Sequence, residues 1–464
     1  MSTGTDYLAR LRNGETLTIP ELSVMILRLS IPAILAQISS VVMQYIDASM
    51  VGSLGASGSA AIGLVASTTW LFGGLCGSIG IGFTVQCAQR IGAGDGKDAR
   101  NLMMQGLLVV AAMTLLVSLL GVSIHRGLPA WLGGGPDIVS NASAYFLIFA
   151  LFYPIDQINN LCGGFLQASG NMRTPGMLHV LMCFLDVIFN SFLIFPGFTF
   201  LGIRFPGLGM GVAGAALGTG LAKLVSCLMM SFALLRRSPL LHLVKGERVH
   251  FVRPQILKAF RISVPVAVEN FVMSGASVIT TRIIAPLGTV SVAANSLSIT
   301  AESLCYMPGF GIASAAQAVI GQSIGAGRRD YTKKLAWITT SLGMLVMTAI
   351  AFLMYAGAPY MIGFLSPDPE VVALGTTVLR IEAFAEPMFA ASIVANGVLR
   401  GGGDTLVPAV LGLISMWAVR VPLAAFLSPR IGLRGAWLAM CIELCVRGVL
   451  FLLRMKQGKY IDRE

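Results

Sequence analysis

Charge is scarce in this sequence. Asp, Glu, Lys and Arg make up only 11% of its 464 residues, against about 25% in an ordinary soluble domain. The scarcity excludes a chain folded in water. Histidine is scarcer still, with four residues, and neither a zinc-protease His-Glu motif nor a nucleophile elbow is present, which argues against an intramembrane hydrolase. Nucleotide-driven chemistry is excluded by position: Ile91 stands where a phosphate-binding loop needs its first glycine, and Asp98 follows Lys97 where serine or threonine is required. The chain is therefore expected not to be an enzyme and to need no cofactor. The eight cysteines all lie inside apolar stretches without metal-like spacing, so they read as small packing residues. Met1 to Pro20 is polar and lacks an apolar run ending in a small-residue cleavage site, so no cleavable signal peptide is expected and the first spanning helix directs insertion.

What is abundant is apolar side chain, 55% of the total. A spanning helix needs ~20 apolar residues, and candidate spans fall near residues 24–52, 59–88, 101–124, 138–168, 174–196, 209–235, 257–286, 292–321, 334–356, 371–399, 406–428 and 433–454. This predicts an all-α polytopic membrane protein of twelve transmembrane helices. The net charge of +11 does not point to nucleic acid, because the basic residues sit between hydrophobic runs. Even-numbered junctions carry most of them, including Arg90, Lys97, Arg100, the stretch from Arg236 to Arg261, Arg328, Arg329, Lys333 and Lys334; odd junctions carry only Arg126, Arg204, Arg430 and Arg434. By the positive-inside rule both termini are cytoplasmic.

The sequence repeats itself at one constant offset, the distance from Pro32 to Pro265. Ser30-Ile31-Pro32 answers Ser263-Val264-Pro265, Leu54-Gly55 answers Leu287-Gly288, and Gln89-Arg90-Ile91-Gly92-Ala93-Gly94 answers Gln322-Ser323-Ile324-Gly325-Ala326-Gly327. Pro154, Gly170 and Pro175 likewise answer Pro387, Gly403 and Pro408. Two homologous halves, each with an even number of spans, insert in the same orientation and leave a cleft between them. The expected domains are a cytoplasmic segment 1–23, a first lobe 24–235, a basic linker 236–256, a second lobe 257–454 and a cytoplasmic tail 455–464.

These residues resemble the multidrug and toxic compound extrusion (MATE) transporters of the flippase superfamily. The resemblance rests on Ile46-Asp47-Ala48-Ser49-Met50-Val51-Gly52, on the two glycine turns just quoted, and most specifically on Gly397-Val398-Leu399-Arg400-Gly401-Gly402-Gly403-Asp404-Thr405 followed by Arg420-Val421-Pro422. It implies two six-helix lobes forming a V-shaped cleft in the bacterial inner membrane. It further implies a monomeric antiporter that exports small organic, often cationic compounds by alternating access, in exchange for protons or sodium ions.

A carboxylate at the bilayer centre costs at least ~2.5 kcal/mol, so each intramembrane acid is a functional candidate. Asp47 leads: it follows Pro32 on a helix whose proline removes one backbone bond and permits a hinge. The resemblance places the coupling cation on an aspartate here. Asp186 and Asn190, four apart, share one helical face, and with Asp47 they supply hard oxygens for a sodium ion or a shared proton site. In the family the asparagine often comes first on this helix; here the order is reversed. Asp156 extends the same set. In the second half, Glu269 follows the hinge candidate Pro265 and adjoins Asn270; it is expected either to bind cationic substrate in the cleft or to pair with Arg282 or another residue. Tyr45, Tyr306 and Met307 are candidates for an adaptable apolar lining. One branch of the family has a tenth-helix aspartate where this chain has Phe389, so that branch's ion site is not expected. Glu443 and Arg447 are spaced for an internal ion pair, and Asp404 reads as a cytoplasmic cap or turn residue. The rival readings are a flippase for lipid-linked oligosaccharides, or an exporter of one specific metabolite, in the same superfamily. The flippase needs several basic residues at membrane depth, and only Lys223, Arg282, Arg380, Arg420 and Arg447 qualify.

Overall fold

The computed structural model describes residues 4–200 and 203–462. Within lipid every backbone N–H and C=O must be satisfied inside its own segment, and helices do this. A short helix α1 (Gly4–Arg12) precedes α2 (Ile19–Gly52), α3 (Ala56–Gly92), α4 (Gly96–Ile124), the single turn α5 (Leu128–Trp131), α6 (Pro136–Ala168) and α7 (Arg173–Ile194). A hairpin of β1 (Gly197–Phe200) and β2 (Ile203–Pro206) pairs antiparallel, with Phe198 opposite Phe205. Then come α8 (Gly211–Phe232), α9 (Arg253–Ile284), α10 (Thr289–Gly325), α11 (Arg329–Leu365), α12 (Pro369–Ala383), α13 (Glu386–Gly401), α14 (Leu406–Ile414), α15 (Val421–Ile431) and α16 (Leu433–Lys456).

Among the described residues, ten helical segments are long and apolar enough to cross a membrane, the α14–α15 pair counting as one. With α3 and the α12–α13 pair the count is the expected twelve. The protein is a multi-pass membrane protein built as a repeat, and the element boundaries carry the offset that separates Pro32 from Pro265. It separates both ends of α3 from both ends of α10, the start of α4 from that of α11, the start of α6 from that of α12, and the start of α7 from that of α14. Backbone conformation repeats too. Gly55 and Gly288 both turn at φ 97°, a region that only glycine enters without strain.

Local chemistry sets the helix ends. Before α2, the Thr18 N–H donates to Glu21 Oε2 at 2.8 Å, one arm of a capping box. The same carboxyl accepts from Arg10 at 3.0 Å and so ties α1 to the start of α2. Before α12, Asp368 caps the Glu370 N–H at 2.9 Å with Pro369 in the first turn. Two expected spans are interrupted in their interior. The tenth breaks between Ala383 and Glu386, because Pro387 has no N–H to donate and its ring crowds the carbonyl four residues back. The eleventh passes through a π-turn at Ser415–Arg420, just ahead of Pro422. Pro32 and Pro265, by contrast, lie within unbroken helices.

The chain divides into two compact units. One comprises Met1–Ile38, Ala88–Asp95 and Arg261–Glu464; the other comprises Ser39–Cys87 and Gly96–Phe260. In the first, the ends of α3 and α10 cross by a reciprocal device. A Cβ on Gly92 would meet the backbone of Gln322, and a Cβ on Gly325 would meet the backbone of Gln89, each closer than the 3.0 Å that real Cβ atoms keep. Residues 89 and 322, and 92 and 325, are repeat equivalents, so one motif packs against its own copy. Gln89 Nε2 then donates to the Gly401 carbonyl at 3.3 Å, which joins the third glycine motif to the crossing.

In the second unit, the segment after α8 is strapped to α4. Asn101 exchanges two 3.0 Å hydrogen bonds with the His250 backbone. Gln255 donates to Asp98 at 2.9 Å and accepts from Gln105 at 3.0 Å. Arg100 pairs with Glu247, and that ion pair holds the exposed Glu247 carboxyl below the usual carboxylate range.

Candidate functional site

Three of the expected residues meet in the second unit. Asn190 on α7 donates its amide NH2 to Asp47 Oδ1 on α2 at 2.8 Å and to Asp186 Oδ2, one turn back on α7, at 3.1 Å. Asp186 and Asn190 are fully buried, and the single Asn190 amide joins the Asp47 and Asp186 carboxyls. The fit depends on α8. A Cβ on Gly218 would overlap Asn190 Oδ1, so only glycine leaves room for the amide. The reversed Asp-then-Asn order therefore still puts an amide between two acids.

Beside this trio, Lys223 on α8 forms an ion pair with Asp156 on α6 at 2.9 Å. Lys223 is also close enough to Asp47 for its charge to act there. His179, two turns before Asp186 on α7, lies half-buried near both members of the pair. Asp156, expected to extend the trio, has Lys223 as its own counter-ion. In the sequence Lys223 shows only as a membrane-depth basic residue, since a partner two spanning helices earlier in the chain leaves no local pattern.

The first unit gathers a second set of buried charges. Glu302 on α10, Glu382 on α12, Glu386 on α13, Glu443 on α16 and Arg420 in the π-turn are all buried or nearly so. Glu443 receives both arms of Arg447 at 2.7 Å, the expected ion pair, and accepts from the Ser415 hydroxyl. Glu269 pairs with Arg400 of the glycine motif at 3.2 Å, not with Arg282. Its neighbour Asn270 is exposed, and Tyr45 and Met307 are half-buried. Tyr306 packs on Phe389, ring centroids 5.5 Å apart, and on Phe310 at 6.0 Å. The aromatic Phe389 thus fills an apolar contact where a branch of the resembling family carries an acid.

Asp404 is a correction. Expected as a cap or turn residue, it is fully buried and holds Arg454 of α16 through bonds of 2.8 and 2.6 Å. The preceding Gly402 has no room for a Cβ because the Tyr460 carbonyl lies against it. The motif after α13 is therefore the seat of the chain's last residues, and Arg454→Met is expected to strand a buried carboxylate at a cost of about 3–5 kcal/mol. Thermal unfolding of the purified protein should show a large drop, partly recovered by adding Asp404→Leu. An unchanged midpoint for the single variant would disprove the pairing.

Among the described residues, no three His, Cys, Asp or Glu side chains gather as a metal ion would need. The trio offers two carboxyls and an amide: it can hold a proton between the acids, or a cation if the amide turns its oxygen inward.

The MatE family model matches this sequence twice, at residues 32–192 and 265–426, so the two matches begin on the repeat-equivalent prolines Pro32 and Pro265. "Probable multidrug resistance protein NorM" of Thermotoga maritima is 26% identical over 460 residues, covering 96% of this chain and 94% of its own length. "Multidrug resistance protein MdtK" of Yersinia pestis is 24% identical, covering 93% and 94%. A mutant of the Vibrio cholerae MATE transporter VcmN has the same fold at a TM-score of 0.87 and 18% identity, over 95% of this chain and 97% of its own.

Proposed function

The chain belongs to the MatE family, and from that premise we propose that it is a secondary active antiporter, exporting organic, often cationic compounds in exchange for protons or sodium ions by alternating access. One observation carries this reading: Asn190 ties together two acids, from α2 and α7, inside apolar spanning helices. An isolated acid at that depth costs at least ~2.5 kcal/mol, and a site that binds a cation in one state and releases it in another is what coupling requires. The relatives named for multidrug resistance support the substrate class. The basic junctions support an orientation with both termini in the cytoplasm of a bacterial cell.

In this reading Pro32 and Pro265 are the hinges of the first helix of each lobe, and residues 24–235 and 257–454 are the lobes. Asp47, Asp186 and Asn190 bind the coupling ion, and Asp156 supports them through Lys223. Asn270, Tyr45, Tyr306 and Met307 face substrate. Glu269 is a weaker candidate for substrate contact, because Arg400 already compensates its charge. The flippase and single-metabolite readings are separated from this one by substrate. Proteoliposomes holding the purified protein should expel a cationic dye such as ethidium when a cation gradient is imposed. Gradient-independent movement of a pyrophosphate-linked lipid, without dye export, would overturn the proposal.

A further inference from the structure

The offset that separates Pro32 from Pro265 also separates Leu17 from His250 and Asp98 from Tyr331. In both places the segment leading into a repeat is strapped to the start of a helix. In the first unit, Tyr331 on α11 accepts from the Leu17 N–H at 3.1 Å and donates to the Leu17 carbonyl at 3.4 Å. Arg328, its guanidinium 4.4 Å from the centre of the Tyr331 ring, donates to the Glu15 carbonyl at 2.8 Å. In the second unit, Asn101 on α4 holds the His250 backbone, and the Val252 N–H donates to Gln105 Oε1 at 3.2 Å. The Gln255 carbonyl accepts from Gln86 Nε2 of α3 at 3.1 Å.

The two straps are built of opposite chemistry. Leu11, Leu17 and Leu22 are buried in the first, whereas their repeat equivalents Val244 and His250 are exposed and Gln255 is half-buried. Leu241 keeps the burial of its equivalent Leu8, so the polar strap begins beyond it. On the apolar side α1 packs on α10, and α2 follows: a Cβ on Gly311 of α10 would meet the Ala33 and Ile34 backbone. The repeat equivalent of Gly311 on α3 is Ser78, which has a Cβ. Opening the first strap would put leucine side chains into water, which offers nothing for the contacts they lose. Opening the second would free amides and carboxylates, Asp98 and Glu247 among them, and water satisfies such groups almost as well as the protein does.

Resting on the alternating-access reading above, we propose that the two lead-in segments have divided one task. Residues 8–22 anchor the start of α2 to α10 and α11 throughout the cycle, and residues 247–255 are a latch that releases the start of α9 from α4 once in each cycle. One proline-bearing helix thereby has a fixed end and the other a releasable one.

The test is reversible crosslinking, with ethidium efflux from proteoliposomes driven by an imposed cation gradient. A bis-thiosulfonate reagent added before reconstitution bridges Asn101→Cys to His250→Cys, or Leu17→Cys to Tyr331→Cys with a spacer in place of the tyrosine ring. Each rate is compared with wild type given the same treatment, and with the same variant unbridged and after reduction. Bridging the second strap should slow efflux by about tenfold or more, reversed by reduction, and bridging the first should change it by less than about twofold. Full efflux with the second strap bridged overturns the latch, and arrest by the first bridge overturns the anchor. Hydrogen exchange of the unmodified protein tests the same division without variants: the His250 and Val252 amides should exchange about tenfold faster than the Leu17 amide, or more. Equal protection overturns the proposal. Absence of gradient-driven efflux from every preparation, wild type included, overturns the transport reading, and the exchange comparison still judges the straps.

Discussion

Asp47→Asn is expected to reduce gradient-driven dye efflux to the no-gradient rate while the protein still folds and inserts. Asparagine keeps a side-chain oxygen where Asp47 Oδ1 accepts from the Asn190 amide at 2.8 Å, so the link between α2 and α7 has an acceptor in the variant. What it loses is the ability to take up and release a proton or to offer a negative charge. A neutral side chain is also less costly to bury than a carboxylate, so yield should not fall. Asp186→Asn is the informative partner. It lies deeper, fully buried, and accepts the same amide at 3.1 Å, so it is expected to weaken coupling less if its role is to support Asp47. The measurement is ion flux coupled to dye export by wild type and both variants in one liposome preparation. Full coupled transport by Asp47→Asn would move the coupling site to the other set of buried acids, Glu302, Glu382 and Glu386.

Much of that site was legible because burial of charge is costly enough to mark a residue by itself. Asp47 and Asp186 stand out in apolar runs, and the four-residue spacing of Asp186 and Asn190 puts them on one face without any knowledge of tertiary structure. The same spacing foretold the Glu443–Arg447 pair. Partners distant in sequence were not legible. Asp156 and Lys223 stand on α6 and α8 with the whole of α7 between them, Glu269 and Arg400 stand on α9 and α13, and Asp404 and Arg454 are separated by α14, α15 and most of α16. No local period connects such residues, so the pairing alternative for Glu269 could not name Arg400 as the partner, and Asp404 read as a cap or turn residue.

The fold followed the same division. Twelve spans could be counted because lipid forces long apolar helices, and the repeat because prolines and glycines mark its boundaries. The hairpin at β1 and β2 was missed, being only four residues a strand. So was α1: its buried Leu8 and Leu11 sit among polar neighbours too few to show a period. Pro387 was visible, but whether a proline bends or breaks a helix depends on its surroundings. Its repeat equivalent Pro154 lies inside the continuous α6, and Pro387 ends a helix at Ala383.

Alanine at Gly92 or Gly325 is expected to destabilise the protein strongly, whereas alanine at Gly63 or Gly357 is expected to leave it unchanged or slightly more stable. All four lie in helices of negative φ, and in such a helix alanine is favoured over glycine by roughly 0.5–1 kcal/mol. Around Gly63 and Gly357 nothing lies within 4 Å of the added Cβ, so that gain should appear undiminished. At Gly92 and Gly325 the added carbon meets backbone, of Gln322 and Gln89, and a backbone held in a helix cannot rotate aside as a side chain can. The crossing must then open, at a cost of about 1–3 kcal/mol or more for overpacking. Because each glycine faces the residue equivalent to its own neighbour, the two substitutions press on the same crossing from opposite sides. The double variant should therefore cost less than the sum of the singles, since a crossing opened by one methyl already has room for the other. Thermal unfolding of the four single variants and the double variant measures this. Equal midpoints for Gly92→Ala and Gly63→Ala, both on α3, would show that the glycine motifs do not bring the two helix ends together.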